Sequence, residues 1–227
     1  MPLNPDRLSQ RDRTILAQFR THPALTPAAV RKLACPEDSI NAVMKVVRRL
    51  SYRGWVEIHR LPDGGVCYLL SRRAAVALDL PKKKRRGLGH DSAIEHLGTL
   101  WLCLRLDIRK RSSADFRAAF PELCRRGLSA SGYGVGPDNK LLWLIIDHGA
   151  RPIRLAGKVI RAVALRERLP PFRELIDAGE FGVVVAVPTA AKAAEVESAM
   201  TDSVVNRFVT VRVEVLSELG SLFLQGK

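Results

Sequence analysis

Hydrophobic residues recur at the spacing of an α-helix three times within the first third of the chain. The first pattern covers residues 10–20, and the second begins at Thr26 and Pro27, which suit an N-cap and a first helical position. After a short break, a third pattern is predicted to end near Gly54, because glycine readily adopts the conformation that follows a helix. The pattern therefore predicts three helices in close succession.

The third predicted helix has a buried set and an outward set of residues. The expected buried stripe consists of Ile40, Val43, Met44, Val47 and Leu50. The polar and basic residues that turn outward are Asn41, Lys45, Arg48 and Arg49. Two β-prone runs follow, 55–61 and 66–70, and the Gly-containing tetrad between them predicts a hairpin. Three helices followed by a hairpin is the order of a winged helix-turn-helix domain.

The rest of the chain alternates between helical and β-prone segments. Helices are predicted over 91–106, over 115–126 with a break at Pro121, over 153–168, from Pro170 and over 190–200. Strands are predicted over 129–135, 141–146, 181–187 and 208–215. This alternation indicates an α/β domain with a partly parallel sheet. The predicted fold is α+β followed by α/β, with a winged helix-turn-helix domain at 1–80, a basic linker at 81–89 and a second domain at 90–227.

The charge of the chain points to an anionic partner. Lys and Arg number 37 against 23 Asp and Glu, and residues 1–89 alone hold 18 basic and 7 acidic residues. This asymmetry favours a phosphate backbone, most simply that of double-stranded DNA. The start of the chain lacks a signal-peptide core, no apolar run is long enough to span a membrane, and the four cysteines are widely spaced. We therefore expect a cytoplasmic protein with reduced thiols and no membrane partner.

The expected DNA contacts lie on the third helix, the hairpin and the linker. Asn41 can pair with adenine and an arginine with guanine, whereas Lys45 and one of the arginines are expected to touch phosphate. Arg60 flanks the hairpin tip and could reach the sugar-phosphate backbone of the DNA. The linker adds five consecutive cations, Lys82, Lys83, Lys84, Arg85 and Arg86. Two alternatives stay open: a winged helix that binds protein, and a linker that acts as a localisation signal.

Short motifs in the second half carry a resemblance to a known family. They are the run from Gly89 to Ser92 and the later Asp138, Asp147 and Lys158. With the winged helix, this layout resembles the replication-relaxation family of plasmid and mobile-element proteins and, more distantly, the MOBC-type relaxases. The resemblance covers residues 12–218. It implies that the second domain is nuclease-like, of the PD-(D/E)xK type.

The resemblance also implies a catalytic site. Asp138, Asp147 and Glu95 would hold Mg²⁺ or Mn²⁺, and Lys158 would orient or activate water beside the catalytic carboxylates. The chain departs from the family pattern at Ile145, where the family carries Glu, so we expect no resident metal unless the site is active. Asp138 and Asp147 can also be read as turn residues. Lys158 can be read, with its helical neighbours Arg154 and Arg161, as part of a stripe that faces DNA.

Three functions fit these features. The first is a non-catalytic protein of a plasmid or mobile element that binds double-stranded DNA at an origin or operator. The second is a metal-dependent nicking enzyme, and the third is a transcription regulator whose second domain dimerises or senses a ligand. The Ile145 substitution favours the first over the second. Other transfer, replication or transcription proteins, or a second copy of the chain, would be further partners.

Overall fold

The computed structural model describes residues 3–80, 89–125, 128–201 and 209–223. Its contacts divide the chain into two compact units, one that extends to Leu100 and one from Trp101 to Phe223. We call them the first and the second unit and describe each by itself. The predicted linker contacts Lys82, Lys83, Lys84, Arg85 and Arg86 lie outside the described residues, and the domain limits 1–80 and 90–227 stay predictions.

The first unit has the order of a winged helix-turn-helix domain. After a 3-10 turn at Pro5–Arg7, its elements are α1 (Gln10–Gln18), β1 (Ala24–Leu25), α2 (Pro27–Ala34), α3 (Ile40–Tyr52), β2 (Val56–Arg60), β3 (Val66–Leu70) and α4 (Arg72–Ala77). The strands form an antiparallel sheet in the order β1, β3, β2, with Ile58 opposite Tyr68 and Ala24 opposite Leu69. The predicted helices and hairpin are confirmed. Strand β1 and helix α4 were not predicted.

Side-chain caps fix where the helices begin. The hydroxyl of Thr26 accepts a hydrogen bond from the backbone N–H of Ala29 at 3.3 Å, and Pro27 occupies the first turn of α2. Ser39 caps α3 in the same way, at 3.2 Å from the N–H of Ala42. Such caps satisfy N–H groups that have no partner within the helix. The chain leaves α3 through Gly54, whose φ of 76° is accessible to glycine at little cost.

The buried face of α3 differs from the expected one at three positions. Val43, Val46, Val47 and Leu50 are buried, whereas Ile40 is 38% exposed and Met44 is half-buried. Helical side chains lean toward the N-terminus of their helix, and Ile40 is the first residue of α3, so its side chain leans beyond the packed turns. Val46, which was not predicted to be buried, lies on the opposite edge of the buried face from Ile40.

Helix α5 (His90–Leu106) contains the division between the two units. After it, the elements are β4 (Arg109–Lys110), α6 (Ser113–Ala119), a 3-10 turn (Pro121–Leu123), β5 (Tyr133–Val135), β6 (Leu141–Ile146), α7 (Pro152–Glu167), α8 (Pro170–Asp177), β7 (Phe181–Val187), α9 (Ala190–Thr201), β8 (Thr210–Val215) and α10 (Glu218–Phe223). No helix in the described ranges is both long and apolar enough to cross a membrane.

The second unit is built on a five-stranded sheet whose spatial order follows the chain from β4 to β8. Strands β4, β5 and β6 pair antiparallel, and β6, β7 and β8 pair parallel. The predicted partly parallel sheet is thus confirmed. Strand β5 begins at Tyr133 instead of Ser129, because the hydroxyl of Ser129 accepts the N–H of Ser131 and forms a turn. The two-residue β4 and helix α10 were not predicted.

One face of this sheet carries a hydrophobic core cluster. Leu141 and Ile145 of β6 pack there with the buried residues of α7, α8 and α9. The core also encloses Arg166, which is 3% exposed and donates to the hydroxyl of Tyr133 at 3.0 and 2.8 Å. Its guanidinium carbon lies 3.8 Å from the ring centre of Trp143. Burial raises the pKa of Tyr133, so this tyrosine stays a neutral acceptor for a cation that aromatic rings surround.

Candidate nucleic-acid interface

Four outward residues of α3 form one continuous stripe. Asn41, Lys45, Arg48 and Tyr52 follow each other at intervals of four, three and four residues, which places them on one face of a helix. This face is opposite the buried residues Val43, Val47 and Leu50. All four residues are exposed to solvent, and Tyr52 is 92% exposed. We call them the α3 stripe.

Arg49 does not belong to the α3 stripe, although it was predicted as a DNA contact. Its guanidinium lies 2.5 Å from a carboxylate oxygen of Asp12, which is 2% exposed in α1. Burial of Asp12 acts to raise its pKa, but the hydrogen bonds from Ser9 and Arg49 outweigh burial and lower the pKa. Asp12 also accepts the N–H of Ser9, the N-cap of α1. Arg49 therefore ties α3 to α1.

A second ion pair holds the segment before α3. The guanidinium of Arg11, on α1, lies 2.5 Å from the carboxylate of Asp38, in the segment that leads from α2 into α3. Together with the Arg49–Asp12 pair, it attaches the segment before α3, and α3 itself, to α1. The helix that carries the stripe is thereby oriented before any ligand arrives, which lowers the cost of ordering on binding.

The cations of the α3 stripe are available to a ligand. Within the described ranges, Lys45 and Arg48 form no ion pair, in contrast to Arg11 and Arg49. An exposed cation without a protein counterion attracts anions from solution, and several on one face create a positive potential there. The stripe adds to these charges the amide of Asn41, which can donate and accept at once.

The β2–β3 hairpin extends this surface. Ile58, which is 45% exposed, and Arg60 stand opposite Tyr68 and Val66, so these four side chains share one face of the hairpin. Burial raises the pKa of Tyr68, and the positive charge of Arg48 partly opposes this effect. The charge of Arg48 therefore acts on the hairpin face that carries Arg60. The hairpin tip is closed by Asp63, whose carboxylate accepts the N–H of Gly65 at 2.9 Å.

Tyr52 and Ile58 are surface residues that the sequence reasoning missed. The signal for Tyr52 was present, because it continues the interval of three or four residues that starts at Asn41. The predicted outward set of the helix ended at Arg49, one turn before Tyr52. Ile58 gave no such signal, since an apolar residue in a β-prone run is expected to be buried.

The structure places Asp138 and Asp147 at opposite ends of one strand. Asp138 lies in the turn before β6, where its carboxylate accepts the N–H of Lys140 at 3.3 Å, and its side chain is 55% exposed. Asp147 follows the last residue of β6. The six residues of β6 span roughly 20 Å, whereas two ligands of one divalent ion lie within a few ångströms of each other. These two carboxylates therefore do not form the pair that the resemblance implies.

Asp147 has a structural partner in the second unit. One carboxylate oxygen lies 2.6 Å from Nζ of Lys192, on α9, and the other accepts the N–H groups of Gly149 and Ala150 at 3.1 and 3.0 Å. The side chain of Asp147 is fully buried and that of Lys192 is 16% exposed. The carboxylate thus closes a turn and joins the end of β6 to α9, so its oxygens are already engaged within the protein.

The remaining residues of the predicted catalytic site are also apart. Lys158 is on the exposed face of α7, Ile145 is buried in the sheet at 3% exposure, and Glu95 belongs to the first unit. Across the described part of the chain, no three His, Cys, Asp or Glu side chains are grouped so that they could hold a metal ion. The donors present do not fit the divalent-metal site of a nuclease.

Comparisons with known proteins give one similar structure. No family model and no curated protein matches the chain, so the comparisons give no support to the replication-relaxation family. Among solved structures, a crystal structure of a mutant of MarR from E. coli, complexed with operator DNA, is similar to this chain at 22% sequence identity. The match covers 44% of this chain and 76% of that chain, with a TM-score of 0.30.

Proposed function

We propose that the chain is a sequence-specific double-stranded DNA-binding protein that reads the major groove with α3. The observation that carries this proposal is the α3 stripe, in which the exposed Asn41 is followed on the same helix face by Lys45 and Arg48, two cations without a counterion among the described residues. An α-helix fits the major groove, and the third helix of a winged helix-turn-helix is the one that usually enters it. The hairpin adds Arg60, which lies on the same hairpin face as Tyr68, the residue whose pKa the charge of Arg48 affects.

Each residue of the stripe has a chemically distinct role in this proposal. Asn41 pairs with the N6 and N7 edge of adenine, and Arg48 donates two hydrogen bonds to O6 and N7 of guanine. Lys45 neutralises a phosphate, and the exposed Tyr52 can donate a hydrogen bond from its hydroxyl group to the DNA backbone. Arg49, held by Asp12, orients the helix and does not read a base.

We further propose a non-catalytic role in a plasmid or mobile element, as an origin-binding, mobilisation or regulatory factor. The separation of Asp138 from Asp147 and the ion pair of Asp147 with Lys192 support a second unit that does not cut DNA. A transcription regulator remains the alternative within the same class, because operator binding and origin binding use the same surface. The genomic position of the bound sites distinguishes these two roles.

The binding proposal is tested by selecting preferred duplexes from a random library and measuring affinity for them at several salt concentrations. Replacement of Lys45 and Arg48 together by Gln is expected to weaken binding by 10- to 100-fold or more, and to lower the salt slope by up to about 2. A control variant, Arg7→Gln with Arg13→Gln, makes the same charge change on exposed residues elsewhere and should bind like the wild type. Equal affinity of the stripe variant and the wild type would contradict the proposal.

A nicking assay tests the non-catalytic part. Supercoiled DNA that carries a selected site is incubated with the protein and Mg²⁺ or Mn²⁺, and open circles are measured. We expect a footprint without open circles, because the carboxylates do not converge. Open circles that disappear in an Asp138→Asn variant, at an exposed position, would assign the nuclease activity after all.

A further inference from the structure

Helix α7 carries a second, larger set of cations than α3. Its exposed face presents Arg151, Arg154, Lys158, Arg161 and Arg168, counting the cap residues at both ends. At 3.6 residues per turn, the five fall within an arc of about 100° and extend over about 25 Å. We call them the α7 stripe. The sequence predicted a shared face for Arg154, Lys158 and Arg161, and the structure adds Arg151 and Arg168 to it.

The five cations have no partner in the described part of the chain, where none of them forms an ion pair or a side-chain hydrogen bond. The only acidic residue from Arg151 to Arg168 is Glu167, which is half-buried. The acidic residues of the neighbouring helices, Glu174 and Asp177 on α8 and Glu195 and Glu197 on α9, form no ion pair with these cations in the described part of the chain. Helix α7 thus has a local excess of positive charge, although residues 90–227 as a whole hold 19 basic and 16 acidic residues.

The arrangement does not serve helix stability. The first turn of α7 has no acidic residue and its N-cap, Arg151, makes no capping hydrogen bond. Arg154 places a positive charge where the helix dipole is itself positive, and Lys158 follows four residues later with the same sign. Sequences that break local rules in this way tend to mark functional surfaces.

We infer that the α7 stripe binds the phosphate backbone of a nucleic-acid duplex, independently of its sequence. Duplex DNA offers one strand phosphate per about 3.4 Å of axis, so a stripe of about 25 Å faces roughly seven phosphates of one strand. All five residues of the stripe are arginine or lysine, the side chains that contact phosphate oxygens most often, and none of them carries the amide group of Asn or Gln that pairs with adenine. The inference deepens the proposed function and rests on it, because the same duplex would be the ligand.

A lipid surface fits the stripe less well. Among the described residues of α7, the exposed large apolar side chains are Ile153, 72% exposed and outside the arc of the stripe, and Leu165, 48% exposed. A helix that lies in a membrane interface needs a broad apolar face turned outward. The apolar face of α7, with Leu155, Val159 and Val163, is buried in the core of the unit.

The test compares the full chain with a triple variant, Arg154→Gln, Lys158→Gln and Arg161→Gln. Glutamine keeps helix propensity and removes the charge. A matched control, Arg117→Gln, Arg125→Gln and Lys140→Gln, removes two arginine charges and one lysine charge at exposed positions of the same unit outside α7. On duplexes of random sequence, we expect the α7 variant to lower the salt slope of log K by about 2 to 3 and to weaken binding at least tenfold at physiological salt. The control should stay within twofold of the wild type.

The outcomes separate this inference from the proposed function. If the wild type binds duplexes and the α7 variant keeps its salt slope, the inference is overturned and the proposed role of α3 stands. If the wild type binds no duplex at all, both fail. Vesicles that contain phosphatidylserine form the third arm: vesicle binding that is lost in the α7 variant, with duplex binding unchanged, would assign the stripe to a lipid headgroup. Circular dichroism confirms that each variant is folded.

Discussion

Two neighbouring arginines of α3 have different tasks. Arg48 points away from the core and has no counterion among the described residues, whereas Arg49 reaches Asp12 across 37 positions of sequence. Removal of Arg49 would leave the carboxylate of Asp12 buried with only the Ser9 contacts. An uncompensated buried charge is costly, while loss of an exposed cation such as Arg48 changes stability little.

We predict that Arg49→Gln lowers the free energy of unfolding by about 1 to 3 kcal/mol, because it removes a charged hydrogen bond to a buried carboxylate. Arg48→Gln should stay within about 0.5 kcal/mol of the wild type, as most exposed substitutions do, and should weaken duplex binding instead. Urea unfolding and duplex affinity, measured on both variants, check the two roles. The assignment is wrong if Arg49→Gln is as stable as Arg48→Gln.

The stability difference has a defined pH dependence. The pKa of Asp12 is lower in the folded than in the unfolded chain, so the unfolded state binds more protons as the pH falls. The stabilisation that ionised Asp12 gives to the folded state is therefore fully present above about pH 4, the pKa of Asp in an unfolded chain. It is lost as the pH falls further, through the pKa of the folded state. We therefore expect the stability gap between the wild type and Asp12→Asn to shrink from pH 6 to pH 3. A gap that grows on acidification would contradict the ion pair.

At the scale of the element, α7 is a helix in which function and stability oppose each other. Arg151 and Arg154 lie at the N-terminal end of α7, where the helix dipole is positive, whereas Arg168 lies at the C-terminal end, where the dipole is negative. The same change of charge should thus have opposite effects on stability at the two ends. The effect of each is small because both positions are exposed to solvent.

We predict that Arg154→Glu raises the free energy of unfolding by a few tenths to about 1 kcal/mol at low salt, whereas Arg168→Glu lowers it by a similar amount. Both variants reverse one charge of the α7 stripe, so both should weaken duplex binding. Thermal unfolding at 20 mM and 500 mM salt provides the check, because salt should remove both stability effects. Shifts of the same sign at both ends would show that the dipole does not govern them.

The sequence was most informative where apolar runs have clear ends. The limits of β6 and β7 were predicted to the residue, because Asp147 and Pro188 end runs of buried residues. Strands β1 and β4 contain two residues each and thus have no period to detect. The Arg49–Asp12 pair could not be predicted, since it depends on the packing of α3 against α1 and leaves no local pattern.

The predicted catalytic site contained a conflict that the sequence alone could have revealed. A strand over 141–146 was predicted together with metal ligands at Asp138 and Asp147, although an extended strand between two residues keeps them apart. The resemblance supplied the residue types but not their distances. For the α7 stripe the opposite holds: helical spacing predicted a shared face for Arg154, Lys158 and Arg161, and the structure shows all three exposed.

At the scale of the whole molecule, each unit contains a deeply buried thiol. Cys67 lies in β3 of the first unit and Cys103 in the part of α5 that belongs to the second, and each is 5% exposed. Burial raises the pKa of Cys67 to about 11 and that of Cys103 to about 12. Only the thiolate reacts with alkylating agents, so at pH 8 about one Cys67 in a thousand is reactive while its unit stays closed.

These thiols make the chain its own reporter of local opening. In a pulse of iodoacetamide, read by peptide mass spectrometry, alkylation at each cysteine should follow the opening of the unit around it. We predict that Arg49→Gln accelerates alkylation of Cys67 and leaves Cys103 at the wild-type rate. Equal acceleration at both would mean that the two units open together. The same pulse in the presence of duplex DNA would reveal which unit a ligand holds closed, with no label added to the protein beforehand.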